Sequence, residues 1–462
     1  MISSISNDII GKKDAVELAT LISKKEIKAE EVLEATIQRA EKVNPFLNAI
    51  VTKTYDLAKK KSKLSSNGFF SGIPIFIKDN EDVMGVPTSH GSLAVPKIEA
   101  KKNSNLVQQL NSLGFISLGK SALCEFGLTA TTESLLNGST RNPWNTEHST
   151  GGSSGGSAAL VASGVVPIAH ANDGGGSIRI PAACCGLVGL KPSRDRLMRE
   201  DALSALPVNI VCQGIVSRTV RDTARFYFEA EKYYKNKKLP PIGLVENPSQ
   251  KRLKIGFFKS IPFNKPIHPD VIATVDRTAT LCENLKHSVE EIPCPFGKQV
   301  GDDFFLYWGM LAFLISHLGK FIVSHNFKNE NLEYWTKELA KNYSKHIFQS
   351  PILFHRLRHF FSEYEKLFQK FDVILCPTIA HPAPKIGYLS TTEVEFNLVY
   401  ERLKEFVPFT PIHNISGAPS ISLPLGISQE GLPLGMQFFT SFGQDKILLE
   451  LAFELEQAAN WV

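Results

Sequence analysis

The sequence predicts an α/β fold built around a largely buried β-sheet. Helical and strand patterns alternate along most of the 462 residues, which is typical of proteins whose helices pack on a central sheet. With 43% hydrophobic and 21% charged residues, the composition is ordinary for a globular protein and supplies enough apolar side chains for a large core. The length corresponds to about three domains of common size, and it also leaves room for one large α/β domain.

The N-terminal part predicts two helices followed by buried strands. Apolar residues recur at helical spacing over residues 14–40, and a charged run at 24–28 divides this stretch into two amphipathic helices. The next elements are strands at 47–51, 73–77 and 115–118 and a helix at 106–113.

The middle of the chain predicts a tightly packed helix and a buried strand. The helix covers the small apolar residues 157–163, the strand covers 165–171, and Pro181 suits the first turn of a further helix. Beyond these lie a surface connection at 233–251, strands at 253–257, 371–376, 420–425 and 434–439, a mostly helical, aromatic-rich region at 304–370 and a closing helix at 447–461.

Charge and cysteine content restrict the partners and the compartment. The net charge of +5 is too small to argue for nucleic acid as a partner. The seven cysteines form no C-x-x-C pair, and their odd number fits free thiols in a reducing compartment. The N-terminus lacks the pattern of a signal peptide, and no uninterrupted apolar run reaches the ~18 residues of a membrane span. We therefore expect a cytoplasmic protein without membrane, metal or cofactor.

Two glycine- and serine-rich clusters, at 151–157 and 174–177, flank an apolar segment. Glycine allows the main chain to approach a ligand closely. The run from Gly174 to Gly176 follows a predicted strand, so it can aim several backbone N–H groups into one concavity that binds an oxyanion. Ser177, at the rim of that concavity, is a candidate nucleophile for attack on an acyl group.

A serine nucleophile needs a base, and no histidine is obviously placed to serve. Lys78 ends an apolar strand, and burial can lower a lysine pKa by up to about 3–5 units. A neutral lysine accepts a proton, and either Ser153 or Ser154 could relay it.

Each of these features also has a more ordinary interpretation. A Gly/Ser run in isolation is most often a flexible loop, and a lone lysine after an apolar strand usually extends to the surface. The run at 151–157 lacks the Gly-Lys-Ser/Thr ending of a phosphate-binding P-loop. Asp173 and Arg179 bracket the glycines, and we expect them to form a structural ion pair that holds the turn.

Several motifs closely resemble the amidase signature family. The central block consists of GGSSGGS at 151–157, DGGGSIRIPA at 173–182 and CGLVGLKPS at 185–193. The segment GIPIFIKDNEDVMGVPTSHGS at 72–92 resembles the lysine motif of the family. Further similar segments are GKSALCEFG at 119–127, NGSTRNPWN at 137–145, SRTVRDTA at 217–224 and NISGAPSISLPLG at 414–426. The resemblance covers nearly the whole chain.

This resemblance implies a single α/β/α domain over residues 1–462 around a large central mixed sheet. Its parts would be an N-terminal helical segment at about 1–65, a catalytic core at about 66–230 and a substrate-shaping helical region at about 300–370. The family uses a Ser–cis-Ser–Lys triad, which implies Ser177 as nucleophile, Ser153 as relay and Lys78 as base. The implied oxyanion hole consists of the N–H groups of Gly174, Gly175, Gly176 and Ser177, with Asp173 and Arg179 as structural support.

Two positions depart from the broader family. Asn172 stands where threonine is usual, and Cys124 occupies a motif that more often has a polar residue. The segments at 170–176 and 217–222 are more similar to amidases of the aminohexanoate cyclic-dimer hydrolase type. The predicted substrate-pocket residues are Cys124, Trp308, Phe409 and Asn414.

The predicted function is hydrolysis of carbon–nitrogen bonds in small linear or cyclic amides through an acyl-enzyme. One alternative is the glutaminase component of a glutamyl-tRNA amidotransferase, which shares the triad and passes ammonia to a second protein. The other is a catalytically silent binding protein, against which the intact triad argues. The oligomeric state stays open, a homodimer included.

Overall fold

The computed structural model describes residues 1–63, 67–200, 206–261, 265–392 and 395–461, and the predicted α/β class is confirmed. The α-helices are α1 (Ala15–Ser23), α2 (Ala29–Leu47), α3 (Tyr55–Ser62), α4 (Asn105–Ser112), α5 (Gly155–Ala162), α6 (Arg179–Cys185), α7 (Val220–Tyr233), α8 (Pro269–Asn284), α9 (Lys298–Ile322), α10 (Tyr334–Lys345), α11 (Ser350–Lys366), α12 (Phe396–Phe406), α13 (Ile412–Ser416) and α14 (Asp445–Ala459). The β-strands are β1 (Ile50–Lys53), β2 (Pro74–Lys78), β3 (Ile116–Ser121), β4 (Glu133–Ser134), β5 (Gly138–Ser139), β6 (Ile168–Asp173), β7 (Val188–Lys191), β8 (Cys212–Ser217), β9 (Lys254–Phe257), β10 (Ser288–Glu291), β11 (Val373–Pro377), β12 (Ser420–Ile427) and β13 (Pro433–Phe439).

An eight-stranded mixed sheet forms the centre of the fold, in the order β10-β9-β11-β13-β12-β7-β8-β6. Strand β9 pairs in parallel with β10 and β11, whereas the other neighbouring strands are antiparallel. A second sheet has the order β1-β3-β2, and β4 pairs with β5. The large central mixed sheet implied by the family resemblance is therefore present, while the domain boundaries given above stay a prediction.

A polar contact joins the two larger sheets. The backbone N–H of Lys78, at the end of β2, donates a hydrogen bond of 3.1 Å to Nδ1 of His170 on β6. Strand β6 is the edge of the eight-stranded sheet and leads directly into the second glycine cluster. The contact therefore places the predicted lysine base beside the strand that carries the predicted nucleophile.

The small residues of the central block are packing positions. Every residue of α5 and α6 is buried. A Cβ added at Gly156 would lie 2.4 Å from the Ala122 nitrogen, and one added at Gly189 would lie 2.6 Å from Cβ of Ala182. Because protein interiors are close-packed, larger side chains would push these elements apart. The 151–157 run is thus a buried turn at 151–154 followed by the first residues of α5, and the flexible-loop interpretation is wrong.

Most predicted elements are present, with shifted ends. The two N-terminal helices are confirmed, but α2 continues to Leu47, so the strand predicted at 47–51 begins only at Ile50. Leu47 is apolar and buried, and a short apolar run does not distinguish the end of a helix from the start of a strand. The sequence did not indicate β8, whose Gly214 is a poor strand former and which depends on pairing with β6.

Helix α9 is both long and apolar. Within the described ranges it is the one helix long and apolar enough to span a membrane by length and composition. In the structure its Phe304, Tyr307 and Met310 belong to the hydrophobic core. Closer to its C-terminal end, Leu318, Phe321 and Ile322 are exposed, so α9 belongs to the core over only part of its length.

Candidate active site

Lys78 ends β2 with its side chain fully buried. Its Nζ lies 2.8 Å from Ser153 Oγ and 2.7 Å from Asn172 Oδ1. Burial lowers the pKa of the Lys78 amine to about 7, against the opposing effect of nearby acidic groups. A large fraction of this amine is therefore neutral near pH 7 and able to accept a proton.

The two candidate relay serines have different partners. Ser153 follows Gly152 through a cis peptide bond, and its hydroxyl faces the Lys78 amine. The hydroxyl of Ser154 instead donates to the main-chain oxygen of Asn172 at 3.3 Å. The structure thus brings Lys78 together with Ser153 and directs Ser154 elsewhere.

The main chain at Gly127 packs closely against the Ser153 hydroxyl, and the main chain at Gly152 packs closely against Thr131. A Cβ added at Gly127 would lie 2.9 Å from Ser153 Oγ, and one added at Gly152 would lie 2.1 Å from the Thr131 carbonyl oxygen. Only glycine fits at these two positions without displacing its neighbours. The segment around residue 127 therefore excludes water from one side of the hydroxyl.

Asp173 organises the turn that carries the predicted nucleophile. Its Oδ1 accepts from the N–H of Gly176 at 2.7 Å, and its Oδ2 accepts from the N–H of Ile178 at 3.1 Å. Arg179 donates to both carboxylate oxygens, at 2.8 and 2.9 Å. Burial acts to raise the pKa of Asp173, but the Arg179 charge and hydrogen bonds from Arg179 and Asn414 hold it at about 2. The carboxylate is therefore ionised and clamps the turn.

Arg179 anchors the same turn to the C-terminal part of the chain. Its side chain is fully buried. The guanidinium donates to Thr410 O at 2.9 Å, to Gln437 Oε1 at 2.8 Å and to Asn414 Oδ1 at 2.7 Å. A buried guanidinium needs such complete pairing to offset the loss of water. The position of the turn thus depends on α13 and on β13.

The predicted oxyanion donors are not equivalent. The N–H of Gly176 is already occupied by Asp173. In the described part of the chain, no acceptor pairs with the N–H of Gly174, Gly175 or Ser177. A Cβ added at Gly175 would lie 2.7 Å from the Phe304 ring, and one added at Gly174 would lie 3.2 Å from the Trp308 ring. The absence of a side chain at both glycines therefore lets the two rings pack against the turn. Of the four predicted donors, Gly174, Gly175 and Ser177 are therefore available to a ligand.

An apolar cavity adjoins Ser177. The stacked rings of Phe304 and Trp308, with centroids 5.4 Å apart and planes at 26°, form one wall. The lining residues are Thr129, Ala130, Gly175, Ser177, Ile180, Phe304, Phe305, Trp308, Leu403, Val407 and Pro411, and none of them is charged.

The four predicted pocket residues occupy different places. Trp308 lines the cavity at Ser177. Cys124 is buried close to Lys78, and burial raises the pKa of its thiol to about 12, so it stays protonated. Phe409 lines a separate apolar cavity, and Asn414 donates to Asp173 O and Oδ1 at 2.9 Å within the buried ion-pair network.

A buried polar chain lies behind the lysine. Burial lowers the pKa of His170 to about 3, so its imidazole is neutral, and its Nδ1 accepts from the Lys78 N–H. The other ring nitrogen, Nε2, then carries the proton and donates to Gln213 Oε1 at 3.1 Å. Gln213 Nε2 donates in turn to Glu81 Oε1 at 2.7 Å.

Sequence reasoning misses most of these supporting residues. In the sequence Asn172 stands out only as a departure from threonine, whereas in the structure its amide oxygen accepts a hydrogen bond from the Lys78 amine. Gln213 and Glu81 show no sequence pattern that ties them to Lys78. In the described ranges, no group of three or more His, Cys, Asp or Glu side chains could hold a metal ion.

Comparison with known proteins defines the class of this site. The Amidase family profile matches residues 31–449. The chain belongs to the Amidase family, and it is an amide-hydrolysing enzyme. The resemblance described from the sequence is thereby confirmed.

The similar proteins include several named amide hydrolases. The chain is 44% identical to a protein named "Putative amidase AmiC" of Mycobacterium tuberculosis (strain ATCC 25618 / H37Rv), over 98% of this chain and 96% of that one. It is 31% identical to the 6-aminohexanoate-cyclic-dimer hydrolase of Paenarthrobacter ureafaciens, over 97% and 95%. A solved 6-aminohexanoate cyclic dimer hydrolase with bound substrate has a TM-score of 0.86 and 28% identity over 97% of both chains.

Proposed function

We propose that the enzyme cleaves amides with Ser177 as nucleophile, Ser153 as proton relay and Lys78 as base, through an acyl-enzyme. The observation that carries this proposal is the 2.8 Å distance between Lys78 Nζ and Ser153 Oγ in a fully buried site. The lowered pKa of Lys78, about 7, supports a role as base.

Acylation moves one proton along the triad and back. Ser177 Oγ attacks the amide carbonyl carbon while its proton passes to Ser153 Oγ and the Ser153 proton passes to Lys78 Nζ. When the C–N bond breaks, the proton returns along the same path to the leaving nitrogen, and the amine departs. Water then loses a proton to the relay and attacks the ester at Ser177. As the C–O bond to Ser177 breaks, the relay returns that proton to Ser177 Oγ and the carboxylic acid leaves.

The oxyanion of the tetrahedral intermediate is stabilised, in this proposal, by the N–H groups of Gly174, Gly175 and Ser177. The N–H of Gly176 contributes indirectly, because its bond to Asp173 holds the turn in shape. Loss of one oxyanion donor typically raises a barrier by ~2.7–4 kcal/mol.

The proposed substrates are small neutral amides, linear or cyclic. Relatives named as an amidase and as a hydrolase of a cyclic amide dimer support this class. The amidotransferase alternative is weaker, because glutamine carries an α-ammonium and an α-carboxylate that would need charged partners, and the residues lining the cavity at Ser177 carry no charge.

The cytoplasm is the proposed location. All seven cysteines lie in the described ranges as free thiols. Free thiols persist in the reducing cytoplasm, whereas oxidising compartments favour disulfides.

Labelling and hydrolysis test the triad together. A fluorophosphonate probe should label the wild type, and peptide mapping should locate the adduct at Ser177. Ser177→Ala and Lys78→Ala should each lower kcat/KM for a hydrolysed amide by about 10⁴-fold or more while staying folded. Ser154→Ala is the matched control, since its hydroxyl donates to main chain and not to the lysine, and it should keep most activity. Full turnover by Lys78→Ala would show that another base acts.

A further inference from the structure

A second apolar cavity lies directly behind the one at Ser177. It is lined by Phe258, Cys294, Phe296, Gly297, Val300, Gly301, Phe305, Val407, Pro408, Phe409, Pro411 and Ile412. Phe305, Val407 and Pro411 line both cavities. These three residues therefore form a single partition between two apolar spaces, and we call them the dividing wall.

The dividing wall is assembled from separate parts of the fold. Phe305 belongs to α9, Val407 follows the last turn of α12 and Pro411 precedes α13. The Phe305 ring is held edge-on by Phe304, with centroids 5.6 Å apart, and by Tyr400, with centroids 5.5 Å apart. Phe305 is 4% exposed, so it is a fixed obstacle and not a surface side chain.

Resting on the function proposed above, we infer that the dividing wall limits the length of the acyl group that the enzyme accepts, and that this group is neutral and apolar. The cavity touches both Ser177 and Gly175, so a substrate carbonyl at the nucleophile places one of its substituents there. The acyl group stays attached to Ser177 until water arrives, whereas the amine must leave. An uncharged apolar space beside the nucleophile therefore suits the acyl side, and the amine side has to lie where the product can leave.

The lining determines what kind of acyl group binds. Thr129 and Ser177 are the polar side chains among the lining residues, and no charged group is present there to pair with a substrate ion. Burying an unpaired charge is costly, whereas each buried methylene favours binding by about fourfold. For straight-chain amides, kcat/KM should therefore rise with acyl length until the chain meets the dividing wall.

Shortening the wall should connect the two cavities. In Phe305→Ala the ring that separates them is lost, and the second cavity can accept further methylenes because its lining is also uncharged. The optimal acyl length should therefore increase, and kcat/KM should rise about fourfold for each additional methylene that the enlarged cavity accommodates. Val407→Ala thins the same wall with a smaller loss of core volume, so it provides a second route should Phe305→Ala fold poorly.

The experiment measures kcat/KM for primary amides from acetamide to dodecanamide, with N-alkyl acetamides and glutamine as comparison series. Wild type should show an optimum in the acyl series, little length dependence in the N-alkyl series and at least about a hundredfold lower value for glutamine, which brings two unpaired charges to an uncharged lining. Phe305→Ala and Val407→Ala should shift the acyl optimum upward. Cys294→Ala is the control, because this residue lines the second cavity but not the first and leaves the wall intact.

The outcomes separate this inference from the proposed triad. An unchanged acyl profile in both wall variants, with fluorophosphonate labelling and melting temperature retained, would overturn the role of the wall. Length dependence confined to the N-alkyl series, or preference for glutamine, would overturn the assignment of the cavity to an apolar acyl group. Failure of the triad itself would instead appear as hydrolysis that survives Ser177→Ala.

Discussion

The Lys78 amine donates a hydrogen bond of 2.7 Å to Asn172 Oδ1. An amide oxygen only accepts, so one amine proton is directed toward Asn172. In the neutral amine the lone pair is then left for the Ser153 hydroxyl, 2.8 Å away. Asn172 thus orients the proposed base although it does not belong to the lining of the cavity at Ser177.

Replacing Asn172 with aspartate should shift the acid side of the pH–rate profile upward. A carboxylate at this position favours the ammonium form of Lys78, and an opposite charge at such a distance typically moves a pKa by about 1–3 units. We expect the apparent pKa in kcat/KM to rise by at least about one unit, measured between about pH 5.5 and 10 on a hydrolysed amide.

Ser154→Ala is the control for the Asn172 variant. The Ser154 hydroxyl donates to the main-chain oxygen of Asn172 and does not contact its side-chain amide. The pH profile of Ser154→Ala should therefore keep the wild-type midpoint. A folded Asn172→Asp enzyme with an unshifted profile would contradict an orienting role for the amide.

The wild-type pH profile should follow the ionisation of Lys78. Burial lowers the pKa of this amine to about 7, and only the neutral form accepts a proton. Below about pH 7 the value of kcat/KM should therefore fall about tenfold per pH unit, and above it the value should level off. Constant activity from about pH 5.5 to 8.5 would argue that the amine is not the base.

Arg179→Met should destabilise the protein strongly. The substitution leaves Asp173 buried without its counter-ion, and breaking one side of a buried ion pair typically costs about 3–5 kcal/mol. The measurement is the midpoint of urea unfolding. Lys370→Met removes one side of the exposed pair with Glu290 and should change stability by less than about 1 kcal/mol. Equal effects of the two variants would count against the clamp described for the turn.

Glu81→Gln should raise stability increasingly with pH. Burial raises the pKa of Glu81 from 4.5 to about 7, while hydrogen bonds from Ser104 and Gln213 limit the rise. The protonated form is favoured in the folded state, so wild-type stability falls as pH rises from about 4.5 to 7 and the full cost is present above about 7. Because glutamine does not ionise, the free energy of unfolding of the variant should exceed that of wild type by up to about 3 kcal/mol at pH 8 and by little at pH 5.

Urea unfolding at about pH 5 and pH 8 checks this prediction for Glu81. Glu430→Gln, at an exposed position, serves as control and should stay within about 0.5 kcal/mol of wild type at both pH values. A Glu81→Gln variant less stable than wild type at the higher pH would mean that the carboxylate is ionised and needed by its two donors.

In the predicted triad, the choice of Ser153 over Ser154 comes from the family resemblance. The residues by themselves predict the α/β class, most strands of the central sheet and the candidates Lys78 and Ser177. Local patterns carry this information, because period, glycine spacing and apolar runs are properties of neighbouring residues. Segment ends were less certain, as at Leu47, where the same apolar residue suits a helix or a strand.

Only the tertiary structure determines the contacts between residues that are distant in the sequence. Only the fold shows that Ser153 rather than Ser154 faces Lys78, that Asp173 already occupies the Gly176 N–H, and that Asn172 reaches the amine. The dividing wall combines a residue of α9 with two that flank α12 and α13, far later in the chain. No local pattern encodes such contacts, because they arise from how separate elements pack, and packing depends on the shapes of all of them at once.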